Sequence, residues 1–202
     1  KKGNMTTIVA KEGVKEYPKV PTGVHNARCV KVIDLGTQRS DYGGQITYKR
    51  QVLVIWETPD QLNNDQPMTI SKFYTLSLHE KSNLGQDLVS WRGRPFTETE
   101  RQGFDITKLI GVTCQLNVMH TDSGKERISS VMPLGKNTKI NEQFHPSVSF
   151  SIDDFQKGKR ETFNQLSEGI RKMILRSKEL DGIDTSDIGD EGNGNDLGKV
   201  PF

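Results

Sequence analysis

The sequence predicts a mainly β protein with five strands and one helical stretch between the third and the fourth strand. Five segments are rich in β-branched and aromatic residues, and polar or glycine-containing stretches separate them. Between the third and fourth segments, apolar residues recur at helical spacing as Leu84, Leu88 and Trp91. An alternating α/β sheet is not indicated, since such a sheet needs helices between most of its strands.

The first three strands are separated by polar segments of different character. The second strand is the most apolar of the three, with a continuous apolar run over residues 52–56. Residues 36–45 contain Gly, Ser and Asp and predict a long loop, whereas residues 59–67 predict a polar turn. The strands themselves are predicted at residues 24–35, 46–58 and 68–78.

The helical stretch carries its own start and stop signals. Ser82 is placed to cap a helix that Gly93 ends. Thr97 and Glu100 have the spacing of a capping box, and Asp105 starts a further turn before Gly111. The fourth and fifth strands follow at residues 112–121 and 126–134, joined by a tight turn over residues 122–125.

Three strands, a helix and two strands form the element order of the OB-fold, a five-stranded, partly open Greek-key barrel. A β-sandwich would need more strands and no central helix. OB barrels bind oligonucleotides on the face of strands two and three, flanked by the one–two and four–five loops. The element order therefore predicts that candidate ligand contacts lie on the face of strands two and three.

Cations and flat rings are concentrated at those positions, as single-strand binding requires. Strand alternation places Tyr48 and Arg50 on one face, and Lys72 and Tyr74 on one face with Phe73 inward. Either tyrosine alone could equally be a half-buried barrel residue. The full set of candidate DNA-binding residues is Arg39, Tyr42, Tyr48, Arg50, Lys72, Tyr74, Arg92, Arg94, Lys125 and Arg127. Trp56 and Trp91 are assigned to the core, because Trp91 continues the apolar stripe of the helix.

The region after the fifth strand divides into three parts. Residues 136–158 suggest an extended segment that packs across the barrel. Residues 159–178 predict an amphipathic helix with a basic outer face, which could close the barrel, pair two protomers or extend the DNA path. We expect a flexible lead over residues 1–16, with 1–4 a cloning remnant before Met5. The other predicted boundaries are 17–158 for the OB domain, 159–180 for the helix and 181–202 for a disordered acidic tail.

The charge of the chain is divided between body and tail. Residues 179–202 carry a net charge of −6 and the whole chain +2, so residues 1–178 carry +8. This division is typical of nucleic-acid binders. The tail ends in an apolar tip, which suits a tethered peptide that docks into a partner protein. The predicted partner-binding residues are Asp190, Glu191, Asp196, Pro201 and Phe202.

Patterns of catalytic chemistry are absent from the sequence. It contains no GxxxxGK[ST], GxSxG or HExxH motif, and its four histidines lack ligand spacing. We therefore expect neither an enzyme nor a cofactor or metal. Cys29 and Cys114 lie in apolar stretches without CxxC spacing, which predicts buried, reduced thiols and a cytoplasmic protein. No apolar run approaches the roughly 20 residues of a membrane span.

Residues 17–134 resemble a group of bacteriophage single-stranded DNA-binding proteins. The resemblance is carried by YPKVPTGVHNARCVKVIDLGTQ (17–38), VLVIWETP (52–59), KFYTLSLHEKSNL (72–84), DLVSWRGRPFTETE (87–100) and GFDITKLIGVTCQLNV (103–118). The tail is similar to the acidic C-termini of bacterial single-strand-binding proteins, which end in Asp-Asp-Ile-Pro-Phe and recruit replication and repair enzymes. Here Gly198 and Lys199 stand where acidic residues are expected.

The resemblance implies a sequence-independent single-stranded DNA-binding protein of phage replication or recombination, acting in the host cytoplasm. Its expected partners are single-stranded DNA and replication or recombination proteins bound through the tail. The sequence leaves open whether the chain also forms a homo-oligomer. Two alternatives stay open. The barrel could anneal strands or load another enzyme, or it could be a protein–protein adaptor that binds no nucleic acid.

Overall fold

A computed structural model of the chain describes residues 18–183. Its strands are β1 (Gly23–Tyr42), β2 (Gln45–Asn63), β3 (Gln66–Thr75), β4 (Thr113–His120), β5 (Glu126–Met132) and β6 (Val148–Phe150). Its α-helices are α1 (Asn83–Arg92), α2 (Glu98–Gln102), α3 (Ile152–Gln156), α4 (Glu161–Asn164) and α5 (Glu168–Leu175). Two 3₁₀ turns lie at Ile106–Leu109 and Lys178–Leu180.

The strands form one sheet in the order β3-β2-β1-β4-β5, and all neighbours on this path are antiparallel. The short β6 pairs in parallel with Lys31–Ile33 of β1. Residues of β3 also approach residues of β5, although the two are not neighbours in the sheet. The prediction of a mainly β protein is therefore confirmed.

Both of the first two hairpins are longer than the sequence predicted. The prediction of a loop over residues 36–45 is wrong, because β1 runs to Tyr42 and pairs with β2 from Gln45. Only Gly43 and Gly44 form the turn, with φ of 59° and 80°. Two positive φ angles match the twist of a two-residue hairpin. The turn predicted over residues 59–67 likewise narrows to the two residues 64 and 65, which also have positive φ.

The helical insert follows its sequence signals. The Ser82 side chain accepts a hydrogen bond from the Gly85 N–H at 3.0 Å, and Gly93 closes α1 with φ of 66°. The capping box of Thr97 and Glu100 is present at α2. Asp105 caps the 3₁₀ turn that follows. Side chains that satisfy the free N–H groups of a first turn are local interactions, so these elements could be predicted from short stretches.

The inner cluster is the apolar core between the sheet and α1. It takes side chains from each of β1 to β5 and from α1. Trp56 and Trp91 pack in it with ring centroids 5.9 Å apart, and the indole N–H of Trp91 donates to the Thr113 carbonyl at 2.9 Å. The core assignment of both tryptophans is confirmed. Cys29 and Cys114 are buried free thiols here, and burial raises the pKa of Cys29 to about 12.

The outer cluster lies on the opposite face of β1 and β2. We call residues 148–183, which begin with β6, the C-terminal segment. This segment covers the outer face of β1 and β2. The prediction of one continuous helix over residues 159–178 is wrong. The chain leaves helical geometry at Ser167, which has φ of −61° and ψ of 152°. The break lets α4 bury Phe163 against Phe150 and Phe155, while α5 buries Ile170 and Ile174 in the same cluster.

Candidate nucleic-acid interface

The arm is the outer part of the β1–β2 hairpin, residues 37–49. Its strands stay paired from Thr37 opposite Arg50 to Tyr42 opposite Gln45. Positions 39–49 are all exposed, whereas the strands below them are almost fully buried. The arm thus extends the sheet beyond both clusters and presents its side chains to solvent.

Two tyrosines dominate the arm surface. Tyr42 is 88% exposed and Tyr48 is 55% exposed, with Ile46 also about half exposed at 51%. The Lys178 ammonium lies 5.2 Å from the ring centroid of Tyr48. Exposed rings beside cations are what unpaired bases require for stacking. The arm therefore has the chemistry expected of a single-strand contact.

The two cations within the arm, Arg39 and Lys49, are exposed and only weakly engaged by other residues of the described chain. Arg39 lies directly opposite Tyr48 in the hairpin and pairs with Asp41 at 3.3 Å, with both side chains about half exposed. Exposed ion pairs of this kind contribute only about 0–1 kcal/mol, so a phosphate competes readily for the guanidinium. Lys49 is also exposed.

Arg50 marks the base of the arm and has an internal partner. Its guanidinium donates two hydrogen bonds to the Asp34 carboxylate, at 2.6 and 3.3 Å. The hydrogen bond to Asp34 raises the pKa of Arg50 above its ordinary value. The Arg50 side chain stays 39% exposed. Arg50 thus fixes the base of the arm and offers only part of its surface to a ligand.

Lys72 and Tyr74 do not form a stacking surface. Tyr74 is 3% exposed in the inner cluster, and its hydroxyl donates to Asp87 at 2.7 Å. Burial, together with the Asp87 charge, raises the pKa of Tyr74 well above its usual value. Lys72 binds the same carboxylate oxygen at 2.6 Å. The pair ties β3 to α1 and serves the fold.

The assignment of Tyr74 to the groove and Phe73 to the interior is therefore wrong. Phe73 points the other way and is 40% exposed. It lies opposite Leu53, next to the face that the C-terminal segment covers. Met68 and Ile70 lie an even number of residues before Tyr74 and therefore on the same face of β3. This apolar alternation was the signal that could have placed Tyr74 inward.

The predicted groove across strands two and three is mostly covered. Leu53 and Ile55, on the outer face of β2, are 0% and 3% exposed beneath the C-terminal segment. Lys72 and Tyr74 lie opposite Val54 and Val52 on the inner face instead, so Tyr48, Arg50, Lys72 and Tyr74 do not line one open groove. On the outer face of the sheet, Phe73 of β3 remains exposed. The end of β3 lies beside the arm, since the Leu76 N–H donates to the Arg50 carbonyl at 2.8 Å.

Arg92, the last residue of α1, and Arg94 belong to a separate cluster around Glu100. The Arg92 guanidinium stacks on Phe96 and Phe104, 4.3 and 5.2 Å from their centroids, and pairs with Glu100. Arg94 also pairs with Glu100, at 2.9 Å, but keeps 56% of its side chain exposed. The hydrogen bonds from Arg94 and the Thr97 N–H lower the pKa of Glu100 to about 2. Arg92 is thus a packing residue, and Arg94 remains partly available.

The β4–β5 hairpin presents two further cations. Lys125 and Arg127 are exposed, and within residues 18–183 neither forms an ion pair. The turn before them is held by the Lys19 ammonium, which donates to the Gly124 carbonyl at 2.7 Å. Lys125 and Arg127 are therefore free to meet phosphates.

The predicted tail residues lie outside the described part of the chain. In the described ranges, no group of three or more His, Cys, Asp or Glu side chains is arranged to hold a metal ion. Within the same ranges, none of the helices has the length and apolarity needed to cross a bilayer. Comparisons of the chain with family models, with curated proteins and with solved structures found no match.

Proposed function

We propose that this protein binds single-stranded DNA without sequence preference and serves phage DNA replication or recombination. The observation that carries the proposal is the arm, where the exposed Tyr48 lies opposite Arg39 and next to Lys178, while Tyr42 and Lys49 are exposed on the other face of the hairpin. Bases that stack on such rings must be unpaired, because a duplex hides their faces. The ligand is therefore a single strand.

The strand order supports a further part of the proposal, that β1–β5 close into an OB-type barrel. One apolar cluster receives side chains from all five strands, and residues of the two terminal strands of the sheet approach each other. In such a barrel the one–two and four–five connections flank the ligand path. The arm and the Lys125–Arg127 hairpin are those two connections in this chain.

Charge supports an anionic ligand for the described residues. The whole chain carries +2, residues 1–17 contribute +2 and residues 184–202 contribute −4, so residues 18–183 carry +4. Several of their acids are already paired internally with cations, such as Asp34 with Arg50 and Asp87 with Lys72. The exposed cations of the arm and of the β4–β5 hairpin are the remaining phosphate contacts.

The acidic tail has a second role in this proposal, the recruitment of replication or recombination proteins in the host cytoplasm. The resemblance of its Pro201-Phe202 ending to bacterial single-strand-binding proteins supports this role. A short acidic peptide with an apolar tip suits a pocket on a partner enzyme.

The test is a fluorescence anisotropy titration with an oligo-dT of about 16 nucleotides, the upper site size of one OB barrel. A duplex of equal length is the control. We expect much tighter binding to the single strand. With about 4–6 phosphates neutralised, log affinity should fall against log salt with a slope of about −3 to −4, at about −0.7 per phosphate.

Equal affinity for the duplex would contradict stacking, and a flat salt response would contradict the phosphate contacts. A chain that binds no DNA at any salt concentration would indicate a protein–protein adaptor. Acceleration of strand pairing in an annealing assay would instead identify a mediator that binds strands in order to join them.

A further inference from the structure

The C-terminal segment reaches the base of the arm and clamps it there. The Glu179 carboxylate accepts hydrogen bonds from the Thr37 N–H at 2.7 Å and from the Thr37 hydroxyl at 2.6 Å. One residue along, the Gln38 side chain donates to the Met173 carbonyl at 3.0 Å. These contacts join two parts of the chain that are about 140 residues apart in sequence.

Gly36 makes this close approach possible. A Cβ atom at position 36 would lie 2.4 Å from the Ile152 side chain, 2.6 Å from Ser177 and 2.8 Å from the Glu179 carboxylate. No real Cβ tolerates such distances, and the φ of Gly36 is +70°. The sequence thus has a glycine at an arm-base position where the C-terminal segment presses closely on the backbone.

The clamp also sets the position of Lys178. Leu180, two residues further on, is 3% exposed in the outer cluster and anchors the 3₁₀ turn Lys178–Leu180. With Leu180 buried and Glu179 bonded to Thr37, Lys178 is held over the ring of Tyr48. A cation is thereby fixed over one face of the ring, and the exposed remainder of the ring is where a base would stack.

The arm needs such support, because an isolated two-stranded hairpin is marginally stable in water. Within the described residues, positions 39–49 are exposed and belong to neither cluster. A ligand that bound a loosely held arm would have to order it first, which lowers affinity. An arm already fixed at its base avoids that cost.

We propose that Glu179 is a positioning residue for the arm and that Lys178 is a nucleic-acid contact, so that the C-terminal segment forms part of the binding site. A base stacks on Tyr48, and Lys178 meets the phosphate beside it. This inference rests on the proposed function. It adds to it a phosphate contact and a structural support supplied from the far end of the chain.

The first test compares Glu179→Ala with Glu168→Ala in anisotropy titrations with oligo-dT. Glu168 is a matched control, since it lies on the same segment, is exposed and pairs only with Lys172 among the described residues. Each change removes one negative charge, so general attraction to DNA changes equally. Loss of charge-assisted hydrogen bonds at Glu179 should weaken binding by roughly tenfold, whereas Glu168→Ala should bind as the parent or slightly tighter.

The second test reads the clamp without DNA, by hydrogen exchange across residues 37–49. Glu179→Ala should raise exchange in the arm, while Glu168→Ala should leave it unchanged. Glu179→Gln, whose amide oxygen still accepts from the Thr37 N–H, should recover part of the protection. Lys178→Ala should keep the protection, weaken DNA binding and make the salt slope shallower by about 0.7.

Unchanged arm exchange in Glu179→Ala would overturn the clamp. Tighter DNA binding by Glu179→Ala than by Glu168→Ala would also overturn it, because Glu179 would then compete with phosphate. A parent protein that binds no single strand would overturn the proposed function and the role of Lys178. The exchange measurement would still decide whether Glu179 positions the arm.

Discussion

The β1–β2 hairpin contains two regions that share one hydrogen-bonded ladder and differ in everything else. At its base, Val52, Val54 and Trp56 enter the inner cluster, while Leu53 and Ile55 enter the outer cluster. Every residue from 52 to 58 is buried, so both faces of β2 are covered there. In the arm, residues 39–49 of the same two strands are exposed.

This contrast shows that backbone pairing alone does not decide what a strand does. A strand covered on both faces needs a continuous apolar run, which 52–56 supplies. Outside the clusters the same ladder carries Tyr42, Tyr48 and Arg39. Their side chains are exposed to solvent and are therefore accessible to a ligand. Stability should therefore depend on the base, and binding on the arm.

The largest expected effect is the loss of a base side chain. Trp56→Ala should lower the free energy of unfolding by about 3–5 kcal/mol, because a 1% exposed indole leaves a cavity beside Trp91. Tyr48→Ala, on the same strand, should cost less than about 1 kcal/mol. Urea denaturation of both variants measures this difference. Similar losses would show that the arm contributes to the folded core.

The second prediction compares two glycines of β1 and its turn. Gly36→Ala and Gly43→Ala both place a side chain at positive φ, at a cost of roughly 1–2 kcal/mol each. Only Gly36 also meets neighbours within 3 Å, which adds about 1–3 kcal/mol of overpacking. In thermal denaturation, Gly36→Ala should therefore have a clearly lower melting temperature than Gly43→Ala. Equal values would mean that the C-terminal segment yields easily at the arm base.

The third prediction concerns binding. Tyr42→Ala and Tyr48→Ala should each weaken oligo-dT binding by about 1–3 kcal/mol, with little change in the thermal midpoint. Tyr74→Phe is the control, since it removes a buried hydroxyl that bonds to Asp87. It should lower stability by about 1 kcal/mol and leave DNA affinity unchanged. Parent-like binding by both arm variants would place the ligand elsewhere on the molecule.

The smallest effect concerns the pH dependence of the contact between arm and C-terminal segment. Burial raises the pKa of Glu179, but hydrogen bonds, chiefly those from Thr37, and the charge of Arg50 together outweigh it, so its pKa lies below the ordinary value. The clamp should stabilise the fold above the unfolded pKa of about 4.3 and be lost as pH falls through the lowered folded pKa. The chemical shift of the Glu179 carboxyl group, followed by NMR as a function of pH, would measure its pKa in the folded protein. Thr37→Val should move the Glu179 pKa upward, and no movement would contradict the clamp geometry.

Local chemistry explains which parts of the fold the sequence could predict. Ser82, Gly93 and the Thr97–Glu100 pair cap helices through neighbours within a few residues. The apolar run of β2 and the helical stripe ending at Trp91 needed no knowledge of their partners. The lengths of the two hairpins were missed, because Gly43-Gly44 and Asn64-Asp65 fit either a tight turn or a longer loop.

The candidate site divided in the same way. The exposure of Tyr42, Tyr48 and Lys125 agrees with their assignment to a surface. Lys72 and Arg92 were assigned to that surface by residue type, but Asp87 and Glu100 hold them internally. These ion pairs join separate elements that are 15 and 8 residues apart in the chain, and such a pair leaves no periodic pattern in a single sequence. Phe73 was placed inward and Lys178 was left out of the candidate contacts for a related reason, since their positions depend on which face of the sheet is covered and by which segment.

The sequence by itself determined where β1 to β5 lie, though not their lengths, together with the caps, the buried tryptophans and the separation of a basic body from an acidic tail, because each follows from neighbouring residues or from composition. Tertiary structure alone decided which face of the sheet is open. The C-terminal segment covers β2, Tyr74 turns inward, and Glu179 meets Thr37. Contacts of this kind join residues far apart in the chain, and no local period or propensity encodes which of several apolar faces will cover another.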